Sequence, residues 1–181
     1  MDFADRLDRA RKATGAAGLD ALLVTPGPDL RYLTGYAAVG LERLTCLVLP
    51  ADGDPVLVVP QLERPAALAS PVGGLDLEVL DWAETDDPFA LAARRLPAGP
   101  VRVAVDDKMH AAKVFAFRVA LPAVELSLAG AVIVPLRMRK SPGDMPGSPS
   151  PARASPAGRF RVVRRVTPIL LMSTPPDSRR R

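Results

Sequence analysis

Few groups in this chain of 181 residues have the type and spacing to do chemistry. The only histidine, His110, closely follows Asp106 and Asp107. An imidazole beside two carboxylates has the makings of a metal site or of a general base. The same stretch joins an apolar run at 101–105 to a helical pattern beginning at Ala111, and aspartates at such junctions cap helices. The capping and surface reading therefore takes precedence. The only cysteine, Cys46, lies inside an apolar run. A nucleophilic thiol needs a nearby base and an exposed, electropositive setting, so Cys46 reads as a small core residue. One cysteine excludes an internal disulfide framework and a cysteine-cluster zinc site. One histidine excludes a metal site that needs two imidazoles.

These groups have to be positioned by secondary structure. Phe3, Leu7, Ala10, Thr14 and Ala17 recur at helical spacing behind Asp2, a capping residue, and Gly18 suits a left-handed helix end. Residues 21–25 form an apolar run suited to a strand buried on both faces. Asp29 is placed to cap a short helix through Leu30, Tyr32 and Leu33, closed by Gly35. Residues 43–49 and 56–59 read as an antiparallel hairpin around Pro50-Ala51-Asp52-Gly53-Asp54. Residues 61–69 are weakly helical, with Glu63 and Arg64 at the start, where an acid suits the positive end of the dipole. Strands at 77–82, 101–105 and 124–128 alternate with helices at 88–96 and 111–121. Asp86 or Asp87 serves as cap for the first of these helices, and residues 129–138 fit either a helix or a strand. Trp82, the only tryptophan, reads as a partly buried strand-end residue rather than an interface marker. The alternation predicts an α/β domain: three layers, αβα, around a mixed, mostly parallel sheet.

Charge divides the chain. Residues 1–140 carry 16 Lys and Arg against 18 Asp and Glu, while residues 141–181 carry eight Arg against two Asp and eight of the 20 Pro. The near-neutral body gives no general case for nucleic-acid binding. The domain is expected to span 1–138. Residues 139–181 are expected to be a linker start and a disordered, Pro/Arg-rich basic tail, since such a composition cannot bury enough surface to offset its chain entropy. The tail also has the composition of a shifted reading frame in a GC-rich gene. A nucleic-acid contact through the tail is the weaker alternative. No signal peptide or membrane span is visible, which makes the cytoplasm the expected location.

Four segments of the body resemble the N-terminal domain of the creatinase / aminopeptidase P / prolidase family. Gly18-Leu19-Asp20-Ala21-Leu22-Leu23-Val24 looks like the family's first strand. Asp29-Leu30-Arg31-Tyr32-Leu33-Thr34-Gly35-Tyr36 is similar to its N-x-x-Y-L-T-G-F/Y segment. Leu57-Val58-Val59-Pro60 with Glu63 fits its l-v-P-x-l-E stretch. Leu136 to Pro142 resembles the l-R-x-i-K-s-p linker into a catalytic domain.

The resemblance covers about residues 1–142 and implies a creatinase N-terminal-like fold. It implies Xaa-Pro dipeptidase or aminopeptidase P lineage, in which a "pita-bread" catalytic domain holds two divalent ions, such as Mn or Co, on two Asp, one His and two Glu. None of those ligands can be placed in this chain: residues 141–181 contain no His and no Glu. The chain alone is therefore expected to be inactive and to carry no metal. In the family the loop after the Tyr-Leu-Thr-Gly segment lies near the assembled active site and often reaches a neighbouring subunit. Tyr36, Glu42 and Arg43 are the substrate-side candidates that this implies. The partners implied are a homo-oligomer or a full-length relative, with proline-containing peptides as ligands of complete relatives. A second reading is a stand-alone binding or assembly module. Surface that meets the catalytic domain in complete relatives would be left exposed and would favour association.

Overall fold

The computed structural model describes residues 2–99 and 101–138. The expectations for residues 139–181 lie outside the described residues. The elements are α1 (Phe3–Ala16), β1 (Ala21–Val24), α2 (Pro28–Thr34), β2 (Cys46–Pro50), β3 (Val56–Pro60), α3 (Arg64–Ala69), β4 (Glu78–Trp82), α4 (Pro88–Ala93), β5 (Val101–Val105), α5 (Ala111–Ala120), β6 (Val124–Leu128) and α6 (Gly130–Met138). Two short 3-10 turns, Gln61–Glu63 and Pro71–Gly74, flank α3.

The six strands form one sheet in the order β4-β3-β2-β1-β5-β6. β2 is antiparallel to both β1 and β3, whereas β3–β4, β1–β5 and β5–β6 are parallel. Five strands thus run one way and β2 runs against them. The sheet is mixed and mostly parallel, as the alternation predicts.

Strand residues alternate between two cores, since successive side chains leave opposite faces of a sheet. Leu22, Val24, Leu47, Leu49, Leu57 and Val59 face α1, α2, α3 and α6, meeting Leu7, Ala10, Leu33, Ala67 and Ile133. Ala21, Leu23, Cys46, Val48, Val58, Val103 and Val105 face α4 and α5, meeting Ala92 and Phe117. Helices therefore cover both faces, giving the three αβα layers. On the α4/α5 side Phe89 and Phe117 meet edge to face, 5.0 Å between ring centres.

Local rules account for most boundaries. Asp2 caps α1 by accepting from the Asp5 N–H at 3.0 Å, and Asp87 caps α4 by accepting from Phe89 and Ala90. Gly35 ends α2 in the left-handed region at φ 74°. Residues 129–138, ambiguous in sequence, are helical from Gly130 despite Pro135.

Three expectations need correction. Asp29 does not cap α2. It lies inside the first turn and ion-pairs with Arg137 at 2.8 Å, while Gly27 precedes the helix. Asp106 and Asp107 do not cap α5. His110 holds the cap position without a side-chain bond, and Asp107 instead accepts from the Gly130 N–H at 2.8 Å, at the start of α6. β2 begins at Cys46 rather than at residue 43, because the preceding residues reach out to other elements.

Candidate functional site

All five co-directional strands end at the same edge of the sheet, and the loop entering β2 opens there too. In open α/β sheets ligands bind outside the carboxyl ends of strands, where the connections diverge to either side. Here the chain leaves β1 for β2 and later returns to β5 on β1's other flank, so the divergence lies between β1 and β5.

Asp106, nearly buried, closes that gap. Its Oδ2 accepts from the Thr25 N–H at 2.8 Å and from the Thr25 hydroxyl at 2.6 Å. Its Oδ1 accepts from the Lys108 N–H at 3.1 Å. The carboxylate thus joins the ends of two strands that lie 81 residues apart in sequence.

The loop from Tyr36 to Thr45 crosses this edge and is tied down at four points. Lys113, on the inward face of α5, donates from Nζ to the Leu41 carbonyl at 2.9 Å and to the Arg43 carbonyl at 3.3 Å. Arg43 pairs with Glu84 at 2.8 Å. Trp82 Nε1 donates to the Leu44 carbonyl at 2.9 Å, and the Thr45 hydroxyl donates to Glu63 Oε2 at 3.0 Å.

Two clefts flank Arg43. The larger, about 670 Å³, lies between Gly40, Leu41, Glu42 and Arg43 on one side and His110, Ala112 and Lys113 on the other. The smaller, about 360 Å³, is lined by Arg43, Pro60, Leu62, Trp82 and Glu84 among others. Val39, Leu41 and Leu62 stand largely exposed around them. A third cleft, about 610 Å³, lies by the starts of β5 and β6. Arg94 is its one charged side chain, so it offers little chemistry.

The structure brings Glu42 and Arg43 to the larger cleft and leaves Tyr36 out of it. Tyr36 is buried on the α1/α2 side, where burial, with the Glu63 charge adding to it, pushes its hydroxyl pKa up. His110 is exposed at the cleft's other wall. Cys46 is fully buried and has no nucleophile's setting: burial pushes its thiol well above the usual range. Trp82 is buried at the end of β4.

Lys113 was not singled out from sequence. Its signal was there: it lies four positions before Phe117 on the inward stripe of α5, where a lysine needs a partner. Burial lowers its pKa below the ordinary 10.5, with Cys46, Asp106 and Glu63 pulling the other way. The unfolded chain therefore holds more protons between the two values, so this group makes stability climb as pH rises through the window just below 10.5. Lys113→Met should abolish that climb and keep global stability within about 1 kcal/mol, because methionine fills the space without burying an ammonium. Hydrogen exchange at the amides of residues 37–45 should accelerate. Unchanged exchange there would show that the lysine does not hold the loop.

Among the described residues no three His, Cys, Asp or Glu side chains gather as a metal-ion cluster. No helix among the described residues is long and apolar enough to cross a membrane.

A three-layer α/β domain with a strapped loop across the carboxyl edge of its mixed sheet is the class that these elements define. The chain belongs to the Creatinase/Prolidase N-terminal domain family, whose model matches residues 6–139. It is 45% identical over 138 residues to the probable dipeptidase PepE of Mycobacterium tuberculosis (strain H37Rv), covering 76% of this chain and 36% of that protein. The crystal structure of dipeptidase PepE from Mycobacterium ulcerans superposes with a TM-score of 0.73 at 44% identity, over 78% of this chain and 38% of that one. A proline dipeptidase structure from Streptococcus pneumoniae matches at TM-score 0.65 and 25% identity, over 74% of this chain and 98% of the solved chain. The chain thus spans little more than a third of the curated dipeptidases it resembles, and the domain it matches has also been solved as a chain of about its own extent.

Proposed function

We propose that this chain provides the non-catalytic N-terminal domain of an Xaa-Pro dipeptidase- or aminopeptidase P-like metallopeptidase, with the strapped loop facing the substrate cleft. The observation that carries this reading is the family match over residues 6–139, joined to a loop that presents Glu42 and Arg43 at a cleft of about 670 Å³. Hydrolysis of the bond before proline would fall to residues other than those described, among which no metal-binding cluster gathers. Arg43 would offer a positive charge to a peptide carboxylate, and Glu42 a negative one to an amino terminus. Both are exposed, so their contribution depends on the cleft being closed by the rest of the enzyme.

The isolated chain, incubated with Mn²⁺ or Co²⁺ and an Xaa-Pro dipeptide, should show no turnover above the metal-only blank. A chimera carrying residues 1–138 in place of the matching segment of the M. tuberculosis relative should hydrolyse the dipeptide, and Arg43→Ala in it should raise KM several-fold. Turnover by the chain alone sinks the non-catalytic assignment. An Arg43→Ala chimera with wild-type KM removes the loop from the substrate side.

A second reading is an assembly module that pairs with a full-length relative. Exposed Val39, Leu41 and Leu62 around the clefts favour it. Co-purification of the chain with such a relative would separate the two readings.

A further inference from the structure

The last turn of α6 is tied to α2 by two bonds. The Tyr32 hydroxyl donates to the Leu136 carbonyl at 2.9 Å, and Arg137 pairs with Asp29 at 2.8 Å. The partners lie 104 and 108 residues apart in sequence. Asp29 and Tyr32 belong to the segment 29–36, and Leu136 and Arg137 to the segment 136–142. Two of the four stretches that carry the family resemblance therefore meet in space, and the second of them resembles the linker into a catalytic domain.

The end of α6 needs such ties. Pro135 has no N–H to give to the Ala131 carbonyl, which weakens the helix close to its end. Carbonyls in a last helical turn lack intrahelical donors, and the Tyr32 hydroxyl supplies one to Leu136. Towards α1, the helix meets small and apolar side chains around a cleft of about 220 Å³, with Ala13 and Ala17 opposite Ala131 and Pro135. Contacts of that kind do little to fix a direction.

α2, by contrast, is held on every side. Leu30 and Leu33 are fully buried. The Arg6 guanidinium lies 4.5 Å from the centre of the Tyr32 ring and donates to the Tyr32 carbonyl at 2.9 Å. The loop follows at once: Gly35 closes α2, and the Tyr36 N–H donates to the Thr34 hydroxyl at 3.1 Å. One rigid helix thus starts the loop and holds the end of α6.

We infer that Asp29, Tyr32 and Arg137 are positioning residues: through α2 they set where the loop bearing Glu42 and Arg43 stands relative to the catalytic half that follows α6 in the complete enzyme. The inference rests on the peptidase reading above. The ion pair is open to solvent, and such pairs add little to stability. What the two bonds add is direction, since two points of attachment fix rotation as well as distance. A substrate held between two parts of an enzyme gains only when both stand in place, and a shift of about 1 Å is enough to cost rate.

Two measurements test it. In the full chain, hydrogen exchange is compared between wild type, Arg137→Gln and Tyr32→Phe, which keeps the ring under Arg6. The amides of residues 136–138 should exchange faster in both variants, with residues 37–45 and the urea midpoint unchanged. Arg137→Lys should restore most of the protection. In the chimera with the M. tuberculosis relative, Arg137→Gln should raise KM several-fold with kcat within about twofold of the parent. Arg137→Lys should recover KM, and Asp29→Asn combined with Arg137→Gln should do no more than either alone. Unchanged exchange at 136–138 overturns the clamp itself, in a chain that need not be active. Faster exchange with parental KM, in a chimera where Arg43→Ala does raise KM, overturns the positioning role and leaves the peptidase reading standing. A folded but inert chimera, or one in which Arg43→Ala also leaves KM unchanged, fails the peptidase reading, and the inference falls with it.

Discussion

Asp106→Ala is expected to cost about 4 kcal/mol of folding stability. The carboxylate, 6% exposed, accepts three hydrogen bonds: two from Thr25 at the end of β1 and one from the Lys108 N–H. Removing it leaves a buried amide and hydroxyl without an acceptor, and each orphaned group costs about 1–3 kcal/mol. It also removes the negative charge that favours the ammonium of Lys113. Asp106→Asn keeps the shape and one acceptor oxygen, so about half the loss is expected. Urea unfolding with an unchanged slope is the measurement. In a double-mutant cycle, Thr25→Val and Asp106→Ala should fall well short of additivity, since each removes the other's partner. A loss below about 1 kcal/mol for Asp106→Ala would mean that water takes over the Thr25 donors and that the strand ends are not joined here.

Gly35→Ala is the other large effect, at about 3 kcal/mol. The backbone at Gly35 has φ 74°, where an L side chain costs about 1 kcal/mol. A Cβ there would also lie 2.7 Å from Phe3 Cζ and 2.8 Å from Pro71 Cγ. Both neighbours would have to move, and overpacking of this kind costs about 1–3 kcal/mol. Gly74→Ala is the control: nothing lies within 4 Å of its added Cβ, so about 0.5 kcal/mol or less is expected. Equal midpoints for the two variants would refute the close approach at Gly35. Because Gly35 opens the loop that carries Glu42 and Arg43, a folded Gly35→Ala variant should also show faster exchange in that loop.

The legible parts of this molecule were those set by local chemistry. Asp2 before an apolar stripe, Gly35 after a short helix, and a Pro-Ala-Asp-Gly-Asp turn between two apolar runs each state their structure within a few residues. The misread parts are those where a short polar side chain had a choice of partners. Asp29, Asp106 and Asp107 stand where caps are wanted, yet they bond to Arg137, Thr25 and Gly130, which are distant in sequence. Only the folded topology brings those partners near. The loop itself was legible through family resemblance, which pointed to Tyr36, Glu42 and Arg43. That resemblance does not say which way each side chain turns. Tyr36 follows the apolar side of α2 into the core, while Glu42 and Arg43 stay at the cleft.

The reversed strand in the middle of the sheet also orders the chain in time. β1, β2 and β3 are sequential neighbours joined by antiparallel pairing, so their contacts close only short loops. β5 reaches β1 only after some eighty residues of intervening chain, and β6 can dock only once β5 is in place. The meander is thus the part whose closure costs least chain entropy, and the β5–α5–β6 half is expected to condense on it. On a ribosome, the loop bearing Glu42 and Arg43 would emerge within that first-formed half, while Lys113 and Asp106, which fasten it and close the sheet, arrive last.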